Sequence, residues 1–127
     1  DTNPGRIAAA VLEGVAFAHA DGLAALREAG TRVDEMTVIG GGSRSRHWGA
    51  ILAAALDVRL NYVDGGEVGP ALGAARLAMM AVTGAGAAEV CPRPQVVNVI
   101  EPDPRLAGRL APKLEKFRRA YGAIRQF

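Results

Sequence analysis

Residues 38–48 read Val-Ile-Gly-Gly-Gly-Ser-Arg-Ser-Arg-His-Trp, and this run constrains the chain more than any other. An apolar stretch enters three consecutive glycines, and a helix is expected to begin at the Ser that follows. Glycines let a backbone approach a ligand closely, because no Cβ stands in the way. The helix behind them aims unpaired N–H groups and the positive end of its dipole at the same place. A strand, a glycine turn and a helix N-terminus together make a site for a flat, anionic ligand such as a nucleotide.

The flanking segments extend this unit. The apolar run 36–39 is bounded by polar residues and glycines, which predicts a short strand buried on both faces. Residues 43–56 have helical spacing, with Trp48, Ile51, Leu52 and Ala55 on one face. Residues 58–63 alternate as a second strand, Asp64-Gly65-Gly66 is a turn, and 68–82 is an Ala-rich helix with Pro70 near its start. Strand, helix, strand in this order is a βαβ unit with parallel strands and a right-handed crossover.

Before it lies a helical pattern over 6–29, about 35 Å long at the usual rise. Asp1 to Asn3 are candidate caps and Gly30 a candidate stop. Ile7, Val11, Leu12, Val15, Gly22 and Leu26 form one broad face, with Phe17 away from it. Residues 84–94 read as a connection and 96–100 as a short extended segment. A C-terminal helix follows Pro102 and Pro104, with Leu106, Leu110, Leu114, Phe117, Tyr121 and Ile124 as its apolar stripe.

Composition narrows the function classes. The 127 residues suit one domain, and half are hydrophobic, so a real core can form. A net charge of +2 is far from the basic stripe of a nucleic-acid binder. No stretch approaches eighteen uninterrupted apolar residues, so no membrane span is expected. The single cysteine, Cys91, excludes an intrachain disulfide and fits a reducing, cytoplasmic setting. The chain opens without Met, as if cut from something longer.

The glycine turn is not a P-loop, because it lacks the Gly-Lys-Ser/Thr ending. It is a poor dinucleotide fingerprint, because Ser45 stands where a third glycine belongs. A bare strand-to-helix turn and a nucleotide site both remain open on pattern alone. Arg44 and Arg46 each either reach a phosphate or ribose or point to solvent. In the second cluster, 65–75, Gly73, Ala74 and Ala75 read as a small packing face, and Gly66 and Glu67 stay open. His19 reads as a core or rim histidine, since no nucleophile or carboxylate partner accompanies it. His47 is a surface position by default. Two histidines and one cysteine, far apart in sequence, give a metal site little to build on.

Three segments taken together carry a resemblance: Leu12-Glu13-Gly14-Val15-Ala16-Phe17-Ala18, then Val38 to Ser45 with Trp48 behind, then Gly65-Gly66-Glu67-Val68-Gly69-Pro70-Ala71-Leu72-Gly73-Ala74-Ala75-Arg76-Leu77-Ala78. In this order and spacing they resemble the C-terminal part of the FGGY carbohydrate kinases, and among these the xylulokinases. The resemblance runs over about residues 8–83. It implies an α/β fold, part of a ribonuclease-H-like domain of the actin/hexokinase ATPase type. The order implied is long helix, then β-α-β-α, then a C-terminal helix. Residues 1–83 would be the second half of the ATP-binding domain, and 84–127 its connecting segment and C-terminal helix.

The resemblance also implies function. The parent enzyme would transfer the γ-phosphate of ATP to a pentulose, D-xylulose. Gly41, Gly42 and Ser43 would approach the adenosine through backbone groups. Arg46 stands where the family often has an Asn against the base or ribose. The family's catalytic Asp, its sugar site and its phosphate-binding hairpin would precede residue 1, and Mg²⁺ would be held largely by those parts. The expected partners are therefore a nucleotide and the N-terminal sugar-binding domain, and the isolated chain is expected to be inactive. Loss of the preceding strands would leave the 36–40 strand with a bare edge, which predicts a homodimer. The alternative is a non-catalytic nucleotide-binding or interaction module with a Rossmann-like βαβ core.

Overall fold

The computed structural model describes residues 3–125. Asp1 and Thr2, two of the candidate caps, lie outside the described residues, as do Gln126 and Phe127. Helix α1 spans Pro4–Glu28, with Asn3 as its cap: the Arg6 N–H donates to Asn3 Oδ1 at 2.9 Å. It stops at Gly30, whose φ of 88° is left-handed. There the Thr31 N–H donates to Leu26 O and the Gly30 N–H to Arg27 O, both at 3.0 Å, which closes the last carbonyls.

The buried stripe of α1 is Ala16, Phe17, Ala20 and Leu23, and not the face expected from sequence. Ile7, Val11, Val15 and Leu26 are exposed, and Leu12 is half-buried. The helix is apolar nearly all round, so its periodicity admits two faces, and the neighbouring helices select one. Phe17 meets Phe117 with ring centroids 5.7 Å apart and planes tilted by 58°. By length and composition α1 could span a membrane. In the fold it is a packing helix, and its Glu13 and Asp21 pair with Lys113 and Arg118, each at 2.6 Å.

Strands β1 (Glu35–Val38), β2 (Arg59–Val63) and β3 (Val96–Ile100) form one sheet in that order. β1 and β2 are parallel, with Met36 opposite Leu60 and Val38 opposite Tyr62. β2 and β3 are antiparallel, with Leu60 opposite Ile100 and an irregularity at Tyr62/Val63. Helix α2 (Arg46–Leu56) crosses between β1 and β2. β1 is an edge strand and is not buried on both faces as expected: only Val38 is even half-buried. Its outer face is polar, and Glu35 accepts a hydrogen bond from Asn61 Nδ2 at 2.9 Å.

The core lies between the sheet and a layer of α1, α2 and the C-terminal helix α5 (Pro104–Ile124). Ile51, Leu52 and Leu56 of α2 meet Phe17, Leu23, Leu60, Tyr62 and Leu110 there. The α5 stripe packs through Leu106, Leu110, Leu114 and Phe117. It then outruns its partners, and Tyr121 and Ile124 are exposed. Helix α3 (Gly69–Thr83) follows the second glycine turn, has no buried residue and stops at Gly84, φ 70°. A short helix α4 (Ala87–Val90) stands where a plain connection was expected, held down by the buried Val90.

Candidate functional site at the paired glycine turns

Just beyond β1 the chain reaches Gly40 at φ 82°, ψ −175°, a region essentially closed to any residue with a Cβ. A 3-10 helix, Gly41–Arg44, follows. Ser43 folds back on the turn: its N–H and its Oγ–H both donate to Gly40 O, at 3.0 and 2.7 Å. The α-helix was expected to start at Ser43. It starts at Arg46 instead, because Ser45 is the residue whose Oγ accepts from an N3 amide, that of Trp48, at 3.2 Å.

The three glycines are glycines for different reasons. Gly40 needs its positive φ. Gly42 lies on the Trp48 indole, where a Cβ would come 2.5 Å from Cζ3. Gly41 has ordinary φ, and a Cβ there would meet nothing within 4 Å. Its Cα therefore faces open space, and it is the one member of the triplet that the fold itself leaves unconstrained.

The second cluster adjoins the first. Gly65 is left-handed at φ 65°, and a 3-10 helix, Gly66–Val68, leads into α3. Gly66 is buried, and a Cβ on it would lie 3.1 Å from Val63 Cγ2 and 3.4 Å from Val38 O. Two ties join the turns: the Gly40 N–H donates to Gly66 O at 2.8 Å, and Arg44 Nε meets Glu67 Oε2 at 2.8 Å. The pair of turns stands at the carboxyl ends of β1 and β2, where open α/β sheets place their ligands.

Gly41, Gly42 and Ser43 are consecutive residues of the first 3-10 helix, the two glycines exposed and Ser43 half-buried. Arg46 sits one turn further on, with its guanidinium carbon 5.3 Å from the centroid of the Tyr62 ring. Burial raises the Tyr62 phenol above its ordinary pKa, and the Arg46 charge partly offsets that rise. Arg44 is neither solvated alone nor free, since Glu67 holds it. His47 is exposed. His19 is exposed and not in the core, its ring centroid 6.5 Å from that of Trp48. Among the described residues no three His, Cys, Asp or Glu side chains gather as a metal site. The sequence alone does not assign Gly66 and Glu67 a role. The signal for them was that each glycine cluster follows a strand of one parallel pair, which brings the clusters side by side.

Residues 1–82 match the family described as the FGGY family of carbohydrate kinases, C-terminal domain. The chain is 41% identical over 119 residues to the xylulose kinase of Escherichia coli K12, covering 93% of this chain and 25% of that one. It is 39% identical over 128 residues to the xylulose kinase of Klebsiella pneumoniae, covering 96% of this chain and 25% of that one. The chain spans about a quarter of the length of these curated relatives. A crystal structure of a "xyloylose kinase" from Brucella ovis superposes with a TM-score of 0.83 at 39% identity, covering 99% of this chain and 26% of that one. The xylulose kinase of Rhodospirillum rubrum gives a TM-score of 0.76 at 27% identity, covering 100% of this chain and 26% of that one. The fold is thus that of the corresponding part of these kinases, a portion of the actin/hexokinase-type ATPase architecture, as the resemblance implied. The chain belongs to the FGGY family of carbohydrate kinases, as their C-terminal domain.

Proposed function

We propose that the paired glycine turns form the adenosine-side wall of an ATP site, in a kinase that phosphorylates a pentulose, D-xylulose. The observation that carries this reading is the Gly40–Gly66 hydrogen bond, which joins two glycine turns at the strand ends of an FGGY domain. In it, Gly41, Gly42 and Ser43 present backbone to the nucleotide. Arg46 borders the same wall from the start of α2, with its guanidinium stacked on Tyr62.

Phosphoryl transfer needs positioning together with electrostatic stabilisation of the in-line transfer. In our reading this chain supplies positioning only. The base, the sugar site and the Mg²⁺ ligands belong to the remainder of a cytoplasmic kinase, and the chain by itself does not turn over sugar. Its bare β1 edge pairs with a second copy when that remainder is absent.

The test is ATP titration and xylulose turnover, with the isolated chain and with the complete kinase. We expect Gly41→Val in the complete kinase to raise the KM for ATP at least about tenfold, because a side chain fills the open face over that glycine. We expect no turnover by the isolated chain and ATP binding weaker than micromolar. An unaltered KM for ATP in Gly41→Val overturns the site, and turnover by the isolated chain overturns its dependence on the remainder.

A further inference from the structure

We propose that Glu67 is a positioning residue for the nucleotide wall: its carboxylate holds the Arg44 guanidinium, and the pair fixes the orientation of one glycine turn against the other. This rests on reading the paired turns as that wall.

The two turns are short 3-10 helices, Gly41–Arg44 and Gly66–Val68, and neither has a side-chain cap. Such short pieces have few internal hydrogen bonds, so their orientation must come from outside. One tie is the Gly40–Gly66 backbone bond. That bond, the paired strands and the packing of Gly66 and Gly69 against Ile39 all hold the ends of the turns nearest the sheet. The Arg44–Glu67 contact is the tie farther out, between the far end of the first 3-10 helix and the middle of the second.

The pair is too exposed to serve the fold. The Arg44 and Glu67 side chains are 76% and 50% accessible, and ion pairs in that setting add little stability. The charges matter in another way. In Arg44→Ala the unpaired Glu67 carboxylate would in addition repel an anionic ligand, a loss that Glu67→Ala does not share, so only the positioning effect is common to both variants. Arg suits the task because its planar fork has donors left over after Nε is engaged.

The experiment uses the complete kinase with Arg44→Ala, with Glu67→Ala, and with the exchanged pair Arg44→Glu/Glu67→Arg. The measurements are kcat, the KM for ATP, the KM for sugar, and Tm. We expect each single variant to raise the KM for ATP about three- to tenfold, with kcat and the sugar KM within about twofold and Tm nearly unchanged, as for an exposed pair. The exchanged pair should recover most of the loss, as coupled residues do. An unchanged KM for ATP in Glu67→Ala overturns the proposal. So does a loss in Arg44→Ala that the exchanged pair fails to recover, which would assign Arg44 a direct ligand contact. Gly41→Val reports separately on the wall itself: if it too leaves the KM for ATP unaltered, the nucleotide reading has failed and not merely the role of Glu67.

Discussion

Gly42 and Trp48 are packed so closely that a Cβ on the glycine would lie 2.5 Å from Cζ3 of the indole and 3.1 Å from Cε3. The indole is a rigid plate whose Nε1 is buried with no hydrogen-bond partner among the described residues. It cannot yield as the tip of a flexible side chain would. Gly42→Ala should therefore push Trp48 off its seat and cost about 1–3 kcal/mol, as overpacking does. Trp48 is the chain's single tryptophan, so its emission reports the shift directly. An unchanged spectrum and unfolding midpoint would contradict the contact.

Gly40 and Gly41 should respond to the same small change by very different amounts. Neither has an atom within 4 Å of where its Cβ would sit, but only Gly40 has positive φ. Gly40→Ala is expected to cost about 1–3 kcal/mol from backbone strain alone. Gly41→Ala should change stability by about 0.5 kcal/mol or less. Urea unfolding of both variants decides this. It also makes Gly41 the clean position for probing ligand binding without disturbing the fold.

Tyr62 gives the chain an alkaline limit. Its buried hydroxyl finds no partner among the described residues, and burial holds the phenol above its ordinary pKa of 10.0. Below that ordinary value the phenol is neutral both folded and unfolded, and no stability is lost. As pH rises beyond it the unfolded chain ionises first, so stability falls until the folded pKa is passed. Tyr62→Phe should be neutral or slightly stabilising near neutral pH, because it removes an unpaired buried polar group. It should also flatten the loss above about pH 10. Unfolding measured between about pH 8 and 11 checks both effects.

The two apolar faces of α1 should separate sharply. Phe17→Ala removes a buried ring packed on Phe117 and should cost about 3–5 kcal/mol. Val11→Ser, at a position 59% exposed, should cost about 0.5 kcal/mol or less. Equal costs would mean that α1 packs through the wrong face.

The isolated chain should self-associate. β1 is an edge strand, with Met36 and Ile39 exposed beside an apolar groove of about 220 Å³ that also involves Trp48 and Leu52. Bare strand edges with apolar flanks pair with other chains. Met36→Lys should shift sedimentation toward monomer. A monomer of the unaltered chain at high concentration would count against the pairing.

Much of the fold is legible in local pattern. Gly30 marks a helix end because a left-handed residue is needed there. The strand, glycine turn, helix and strand over 35–63 follow from an apolar run, a break and a 3.6-residue spacing. What could not be read is what depends on neighbours. The α1 face is ambiguous because apolar residues surround the helix. β1 looked like a doubly covered strand because a short apolar run has no marker for an edge. The extended segment 96–100 is read correctly but its partner is not, because the pairing of β3 to β2 is non-local.

The site divides in the same way. The glycine triplet, the helix behind it and the family membership are written in the chain residue by residue, because backbone freedom and motif order are local properties. That Gly42 answers to Trp48, that Ser45 and not Ser43 caps α2, and that Arg44 belongs to Glu67 emerges from the folded chain alone. The physical reason is the parallel pairing of β1 and β2. It carries two glycine turns more than twenty residues apart to the same end of the sheet, where one backbone hydrogen bond and one ion pair can join them.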